Sequence, residues 1–493
     1  MLSSMQAVYS TTKQALPFLP GALRTTILHF TGLEELSQYH DYKSLLIMSV
    51  MRTFANPGTI RSISETQRLT MINPPIKGRI WISTYRSPVP PEETVCGILL
   101  DLIKDLSSDP MDYEAMLRRS TPDGKLALSI AAAEGEWTGY RAGVEDEEPQ
   151  PDISEKAKFD AMNQECTSPT TVLYFHGGAY YLLDPATHRD ATRKLARNTG
   201  GRVFSVRYRL APQNSFPCAL MDALVSYLTL LYPPPDAFHK AIPPEHIVFA
   251  GDSAGGNLAL VLTKTLLELR QRKVQIPWYG EARDVPIPAG VAVNSPWCDI
   301  SMSFPDVKDF TEFDYLPSDF EAWNKAPECE AWNSKTAFSR SHVYCLDGLV
   351  DHPLTSPVLA DGWEGAPPVF VCSGWEILSG SIRHFVQKIH KQGVKVIFEE
   401  YEGMPHCFAM RLPSPGATRC YDGWAAFIQA AVEEPASLKS RAIEIKAKTV
   451  EESPLDFKAL SPYNDDDAHP LADWGWAKED GFGWERLDLG VVA

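Results

Sequence analysis

The sequence predicts an α/β protein built on a mostly parallel sheet, and three observations carry that reading. Short runs rich in β-branched and aromatic residues recur between residues 171 and 401. Longer stretches with helical patterning separate several of them. The runs are apolar throughout instead of alternating, as strands covered by helices on both faces must be.

In chain order, residues 1 to about 125 read as a helical N-terminal segment. Residues 44–54 (SLLIMSVMRTF) are strongly apolar and flanked by Lys43 and Arg52. They suit a helix packed over the main core, or one lying in a membrane interface. Residues 79–85 (RIWISTY) read as a short strand, and 96–106 as a helix started by Pro-Pro-Glu-Glu. Residues 144–165 hold eight acids against two basic residues, with Pro149 and Pro151, and read as a solvated acidic loop. The strand candidates are 171–175, 203–208, 247–250, 290–294, 369–372 and 396–401. The helix candidates are 186–198, 217–231, 255–272 and 379–392. Residues 300–345 interrupt this alternation with an aromatic insertion that includes Phe304, Phe310, Phe313, Tyr315 and Tyr344. Beyond Glu434 lies an acidic extension, 435–493. The domain reading is therefore 1–125, a catalytic unit over 126–434, and the extension.

Composition narrows the function classes. With 46 basic and 63 acidic residues the formal charge is −17, so nonspecific grip on a phosphate backbone has no electrostatic basis. Hydrophobic residues at 44% against 22% charged exclude a disordered chain. The nine cysteines are odd in number, with no C-x-x-C and no zinc-type spacing, so reduced thiols and no metal site are expected. The N-terminus makes a poor signal peptide, and residues 45–51 fall far short of the ~20 apolar residues a spanning helix needs. The expectation is a soluble, cytoplasmic protein, with peripheral membrane contact through 44–54 left open.

The chemistry concentrates in four motifs. Gly251-Asp252-Ser253-Ala254-Gly255-Gly256 is G-x-S-x-G placed directly after a strand and before a helix, the context of a nucleophile elbow. Its glycines permit the tight turn that holds Ser253 exposed at a helix N-terminus. His176-Gly177-Gly178-Ala179-Tyr180 follows the strand TVLYF, 77 residues earlier. Acyl transfer develops charge on a carbonyl oxygen, and the N–H groups of Gly177, Gly178 and Ala254 are the expected donors. His176 reads as a brace for this loop, next to Ala179, with Asp252 supporting it from the elbow. A serine needs a base, and the base an orienting acid. His406, in GMPHCF after the last strand, is the leading base; His342, His352, His384, His390 and His469 also lie downstream of Ser253. Glu376, in SGWEIL after the strand at 369–372, is the acid expected; Asp347, Asp351 and Asp361 are weaker candidates.

Together these residues resemble the hormone-sensitive-lipase-like branch of the α/β-hydrolases. The resemblance spans roughly residues 137–433. It includes HGGAY, YRLAP (208–212), Phe216-Pro217 with Asp222, GDSAGGN, SPWCD (295–299), His352-Pro353-Leu354 with Ser356-Pro357, and GMPHCF. It implies an eight-stranded, mostly parallel sheet flanked by helices. A helical cap built from N-terminal helices and an insertion after the sixth strand would cover the site, and 1–125 and 300–345 could supply it. Ala179 stands where the family usually has a third Gly, Gln213 where Glu usually follows YRLAP, and Glu376 where Asp is commoner. The resemblance implies a serine carboxylic-ester hydrolase with no organic cofactor. The aromatic insertion suggests an apolar ester with a short acyl group, such as a steryl, terpenoid or polyketide acetate. An acyltransferase or lactonase would use the same triad. A non-catalytic ligand receptor on this scaffold is disfavoured, because all three triad positions hold competent residues.

Overall fold

A computed structural model of the chain describes residues 18–55, 62–107, 128–317, 342–346 and 349–464. Five of the apolar runs are strands buried along their whole length: β3 (Thr171–Phe175), β5 (Ile247–Asp252), β8 (Gly290–Asn294), β9 (Val369–Gly374) and β10 (Val396–Tyr401). The reason shows in how their side chains divide. Leu173, Phe175, Phe249, Val291, Val293 and Phe398 join one core, while Val172, Tyr174, Val248, Ala250, Ala292 and Phe370 join a second. Successive residues of a strand face opposite ways, so one core lies on each face of the sheet and no position along these strands is left to solvent.

Helices Cys218–Leu231, Ala254–Gln271 and Ser379–Lys391 contribute to the first core. Helices Arg189–Thr199 and Pro415–Glu433 contribute to the second.

Among the described residues the main sheet has ten strands, two more than expected, in the order β1-β2-β4-β3-β5-β8-β9-β10-β11-β12. From β4 (Arg202–Val206) through β11 (Arg441–Ile445) neighbouring strands pair parallel. Both edges are antiparallel: β1 (Ile80–Arg86) on β2 (Glu134–Tyr140), β2 on β4, and β12 (Glu452–Pro454) on β11. A separate hairpin joins β6 (Ile276–Trp278) to β7 (Glu281–Arg283). β2 reads EGEWTGY, with too many Gly and Glu to look like a strand. Its buried Glu136 is neutralised by a two-pronged hydrogen bond from Arg189 at 2.6 and 2.8 Å.

Two stretches differ from expectation. Residues 144–165 are not a loop throughout, because their second half is the helix Glu155–Glu165. Ser154 caps it by accepting from the Ala157 N–H, and Phe159 with Met162, three residues apart, turn one face into the core. The same stretch shields the open edge of β1. Gln150 exchanges both hydrogen bonds with Ile82, and the Glu155 carboxylate accepts from the Thr84 N–H. Beyond residue 434, β11 and β12 extend the sheet and Phe457 stacks on His390; the acidic and Trp-rich end, from residue 465, lies outside the described residues, as does 318–341 of the aromatic insertion.

The N-terminal helix Tyr42–Ala55 buries Leu45 and Met48 into the second core and leaves Val50 and Phe54 exposed. Among the described residues no helix is long and apolar enough to cross a membrane. The eight described cysteines form no disulfide.

Candidate active site

Strands β3, β5, β8, β9 and β10 are parallel neighbours, so their C-terminal ends lie along one edge of the sheet. The loops leaving those ends carry HGGAY, Ser253, SPWCD, Glu376 and His406. Parallel pairing therefore gathers residues that the sequence scatters over 230 positions.

Ser253 sits between the end of β5 and the helix that starts at Ala254, with φ 53° and ψ −120°. That is a strained region for a residue with a side chain. Three main-chain hydrogen bonds hold it there. Its N–H donates to the Asn294 carbonyl, and its own carbonyl accepts from the N–H groups of Asn257 and Trp297, each at 3.0 Å. The turn requires Gly255, where a Cβ would run into the carbonyl oxygen of Phe175 on the neighbouring strand. Ser253 itself is half-buried.

Glu376 is fully buried, and its Oε1 lies 3.3 Å from His406 Nδ1. Its Oε2 accepts from the Ser295 hydroxyl at 2.7 Å, and Ser295 Oγ accepts in turn from the Cys407 N–H at 3.1 Å. Burial pulls the His406 imidazole down, yet its neighbours hold it well above the usual histidine range. Cys407 is the largest of those influences, but burial pushes its thiol up to about 11. It is neutral at pH 7, and the Glu376 carboxylate is the next influence that raises the imidazole. His406 Nε2 lies 3.4 Å from Cys407 Sγ. No hydrogen bond joins Ser253 Oγ to His406 among the described residues. Their chain neighbours do meet, since Cys407 Sγ is 3.9 Å from Asp252 Oδ2. Such contacts are often loose without substrate.

The oxyanion loop differs from expectation at one position. The Gly177 N–H donates to Asp252 Oδ1 at 3.1 Å and is already committed. A Cβ there would strike the same carboxylate, which explains the glycine. Of the expected set, that leaves the N–H groups of Gly178 and Ala254 as candidates. Gly178 has φ 110°, a conformation that favours glycine. The Ala254 N–H opens a helix, where the first amides have no intrahelical acceptor. Asp252 also accepts from the Tyr174 hydroxyl at 2.7 Å and lies 3.4 Å from His188 Nε2. Burial raises its carboxyl, but His188, Tyr174 and Arg411 outweigh burial and hold it at about 2. His176 stacks on Tyr208 at 4.3 Å, and the Tyr208 hydroxyl donates to its carbonyl at 2.6 Å. Burial pushes His176 down to about 3, so it is neutral and braces the loop. Gln213 forms a reciprocal amide pair with Gln67, which also donates to the carbonyls of Tyr181 and Ala211.

The remaining candidates make other contacts. His352 Nε2 is 2.9 Å from the Ile103 carbonyl, His384 Nδ1 is 3.3 Å from Ser461 Oγ, and His390 stacks on Phe457. The His342 ring lies 5.9 Å from that of Trp297. Asp361 pairs with Lys388 at 3.0 Å, and Asp351 is raised to about 6 by burial. Asp347 and His469 lie outside the described residues. Three residues at the site were not singled out from the sequence: Ser295, His188 and Asp314. Ser295 sits in the SPWCD motif, which offered a signal; a lone His and a lone Asp offer none.

Residues 172–410 match a family model described as the alpha/beta hydrolase fold. An acetyl-hydrolase of Streptomyces hygroscopicus is 29% identical over 54% of this chain and 77% of its own length. An esterase of Acinetobacter venetianus is 29% identical over 51% and 71%. A versiconal hemiacetal acetate esterase of Emericella nidulans is 27% identical over 54% and 86%. Among solved structures, the esterase EstE5 superposes with a TM-score of 0.54, covering 80% of this chain and 99% of its own at 20% identity. At that identity the likeness speaks for the fold alone.

Proposed function

We propose that this chain, an α/β-hydrolase by fold and a carboxylic-ester hydrolase like its relatives, belongs to the hormone-sensitive-lipase-like branch and removes a short, acetyl-like acyl group from an apolar alcohol through an acyl-enzyme. The observation that carries this reading is the alignment of Ser253, Glu376 and His406 at the C-terminal ends of β5, β9 and β10, with the Glu376–His406 contact at 3.3 Å.

Ser253 attacks the ester carbonyl while His406 accepts its proton. Glu376 holds the imidazole and offsets the charge it gains. Oxygen charge in the tetrahedral intermediate is received by the N–H groups of Gly178 and Ala254. His406 then returns the proton to the leaving alcohol, and water, activated by the same base, releases the acid and frees Ser253. The short acyl group is supported by relatives named for acetyl hydrolysis, one acting on a hemiacetal acetate. The apolar alcohol is supported by the aromatic residues of the insertion, among which Tyr344 is buried and stacks on Tyr180 of the HGGAY loop at 3.7 Å.

The test is hydrolysis of p-nitrophenyl esters from acetate to decanoate, with Ser253→Ala as control. The expected rate peaks at the shortest chains and disappears in the variant. A peak at decanoate would overturn the acyl assignment, and equal rates in both proteins would overturn the role of Ser253.

A further inference from the structure

The acid and the base stand on separate loops, and their contact of 3.3 Å is at the long end for a hydrogen bond. A small slip of either loop would break it, so what ties the loops matters. Asp314, from the aromatic insertion, is 1% exposed. Its Oδ1 accepts from the His406 N–H at 3.1 Å and its Oδ2 from the Ile377 N–H at 3.0 Å. One carboxylate therefore grips the main chain of the base and of the residue following the acid. Oδ1 also accepts from the Tyr315 N–H at 2.7 Å, which fixes the carboxylate in its own turn.

The N-terminal helix holds this clamp from outside. Arg52 Nε donates to the Asp314 carbonyl at 2.9 Å, and its Nη2 donates to the Glu312 carbonyl. Just before that helix, His40 Nε2 lies 2.8 Å from the carbonyl of Gly403, three residues ahead of His406. Tyr39, Phe313 and Trp375, each next in sequence to one of these polar groups or to Glu376, pack ring to ring at 5.2–5.7 Å. A buried carboxylate costs free energy unless its hydrogen bonds are made, and these are spread across the two loops.

We propose that Asp314 is a positioning residue that sets the spacing of Glu376 and His406, and that Arg52 on the N-terminal helix keeps it in place; the proposal rests on the assignment of those two residues as acid and base. The helical N-terminal segment is then part of the catalytic apparatus and not only a cover.

The test compares Asp314→Ala, Asp314→Asn and Arg52→Met in the full chain, by kcat, KM and the acid limb of the kcat/KM–pH profile, with rates counted per site labelled by a fluorophosphonate. Asp314→Ala is expected to lower kcat roughly 10- to 100-fold, with KM within about twofold, because misplacement of about 1 Å has that effect on a proton-transfer geometry. Asp314→Asn keeps one acceptor oxygen and falls between. Arg52→Met follows in the same direction with a smaller loss. The groups facing His406 are Glu376, Asp314, Cys407 and Tyr315. Loosening the grip of Glu376 removes support for the imidazolium, so the acid limb moves to lower pH. Wild-type kcat per labelled site and an unmoved limb in Asp314→Ala would overturn the proposal, even with a lower Tm. If that variant does not fold, unchanged values in Asp314→Asn and Arg52→Met overturn it instead. Full activity in Glu376→Gln would instead remove the acid assignment beneath it.

Discussion

At the scale of single residues, the site is a set of groups whose charges are decided by burial and a few close neighbours. Glu376 has no solvent contact and two partners, His406 and Ser295. Glu376→Gln keeps the shape but removes the charge that offsets the imidazolium and can fix the wrong tautomer. We expect kcat to fall roughly 10³- to 10⁴-fold with KM little changed, measured on the preferred p-nitrophenyl ester. The raised His406 also has a sign. The base works when neutral, and its proton is held more tightly than in a free histidine. Activity should therefore be lost as pH falls through a value above the ordinary 6.5. A kcat/KM profile whose acid limb lies at or below 6.5 would contradict this. Ser253 and His406 were legible in the sequence because their motifs follow strands. Asp314 was not, because its neighbours in sequence say nothing of the two backbone amides it meets.

At the scale of elements, the strands most readily read were those buried on both faces, since burial demands an unbroken apolar run. β2 escaped because part of its stability comes from the Glu136–Arg189 pair. Removing one partner of such a buried pair leaves an uncompensated charge or donor set. Arg189→Met should destabilise the fold by about 3–5 kcal/mol, read by urea denaturation. A loss below about 1 kcal/mol would show that β2 is held by packing alone. The elbow offers a second case. Gly255→Ala would place a Cβ against the Phe175 carbonyl, so the helix must back away from β3. Loss of fluorophosphonate labelling at Ser253 is expected even in the fraction that remains folded. The helix Glu155–Glu165 was misread as loop because the acids before it dominate the composition, while its cap and buried face depend on single residues.

At the scale of the whole molecule, four buried histidines share one behaviour. Burial pushes His40, His239 and His352 down to about 4 and His176 to about 3. Their protons bind the unfolded chain first, so the stability they support is complete above pH 6.5. It is lost as pH falls toward 4. The shifts correspond to about 3 kcal/mol each for His40, His239 and His352 and about 5 kcal/mol for His176. The Tm should drop steeply between pH 6.5 and 4, and His352→Gln should flatten that drop. His352 is the sharpest probe because its Nδ1 accepts from the Leu354 N–H and therefore cannot take a proton without losing a bond. The formal charge of −17 is unevenly spread along the chain. Much of it belongs to 144–165, which shields the edge of β1, and to the acidic end of the chain.

The sequence by itself determined the fold class, the order of the central strands along the chain and the residues proposed as nucleophile, base and acid. These follow from patterns read within a few residues: apolar runs, glycines at tight turns, and motifs placed at strand ends. The tertiary structure decided which strands are neighbours, which amide of the glycine loop is already bonded, and which backbone amides the Asp314 carboxylate meets. Gly177 is committed to Asp252, and Asp314 joins loops 63 and 92 residues away. Those contacts depend on chain segments brought together only when the sheet closes its order, and local sequence carries no record of them.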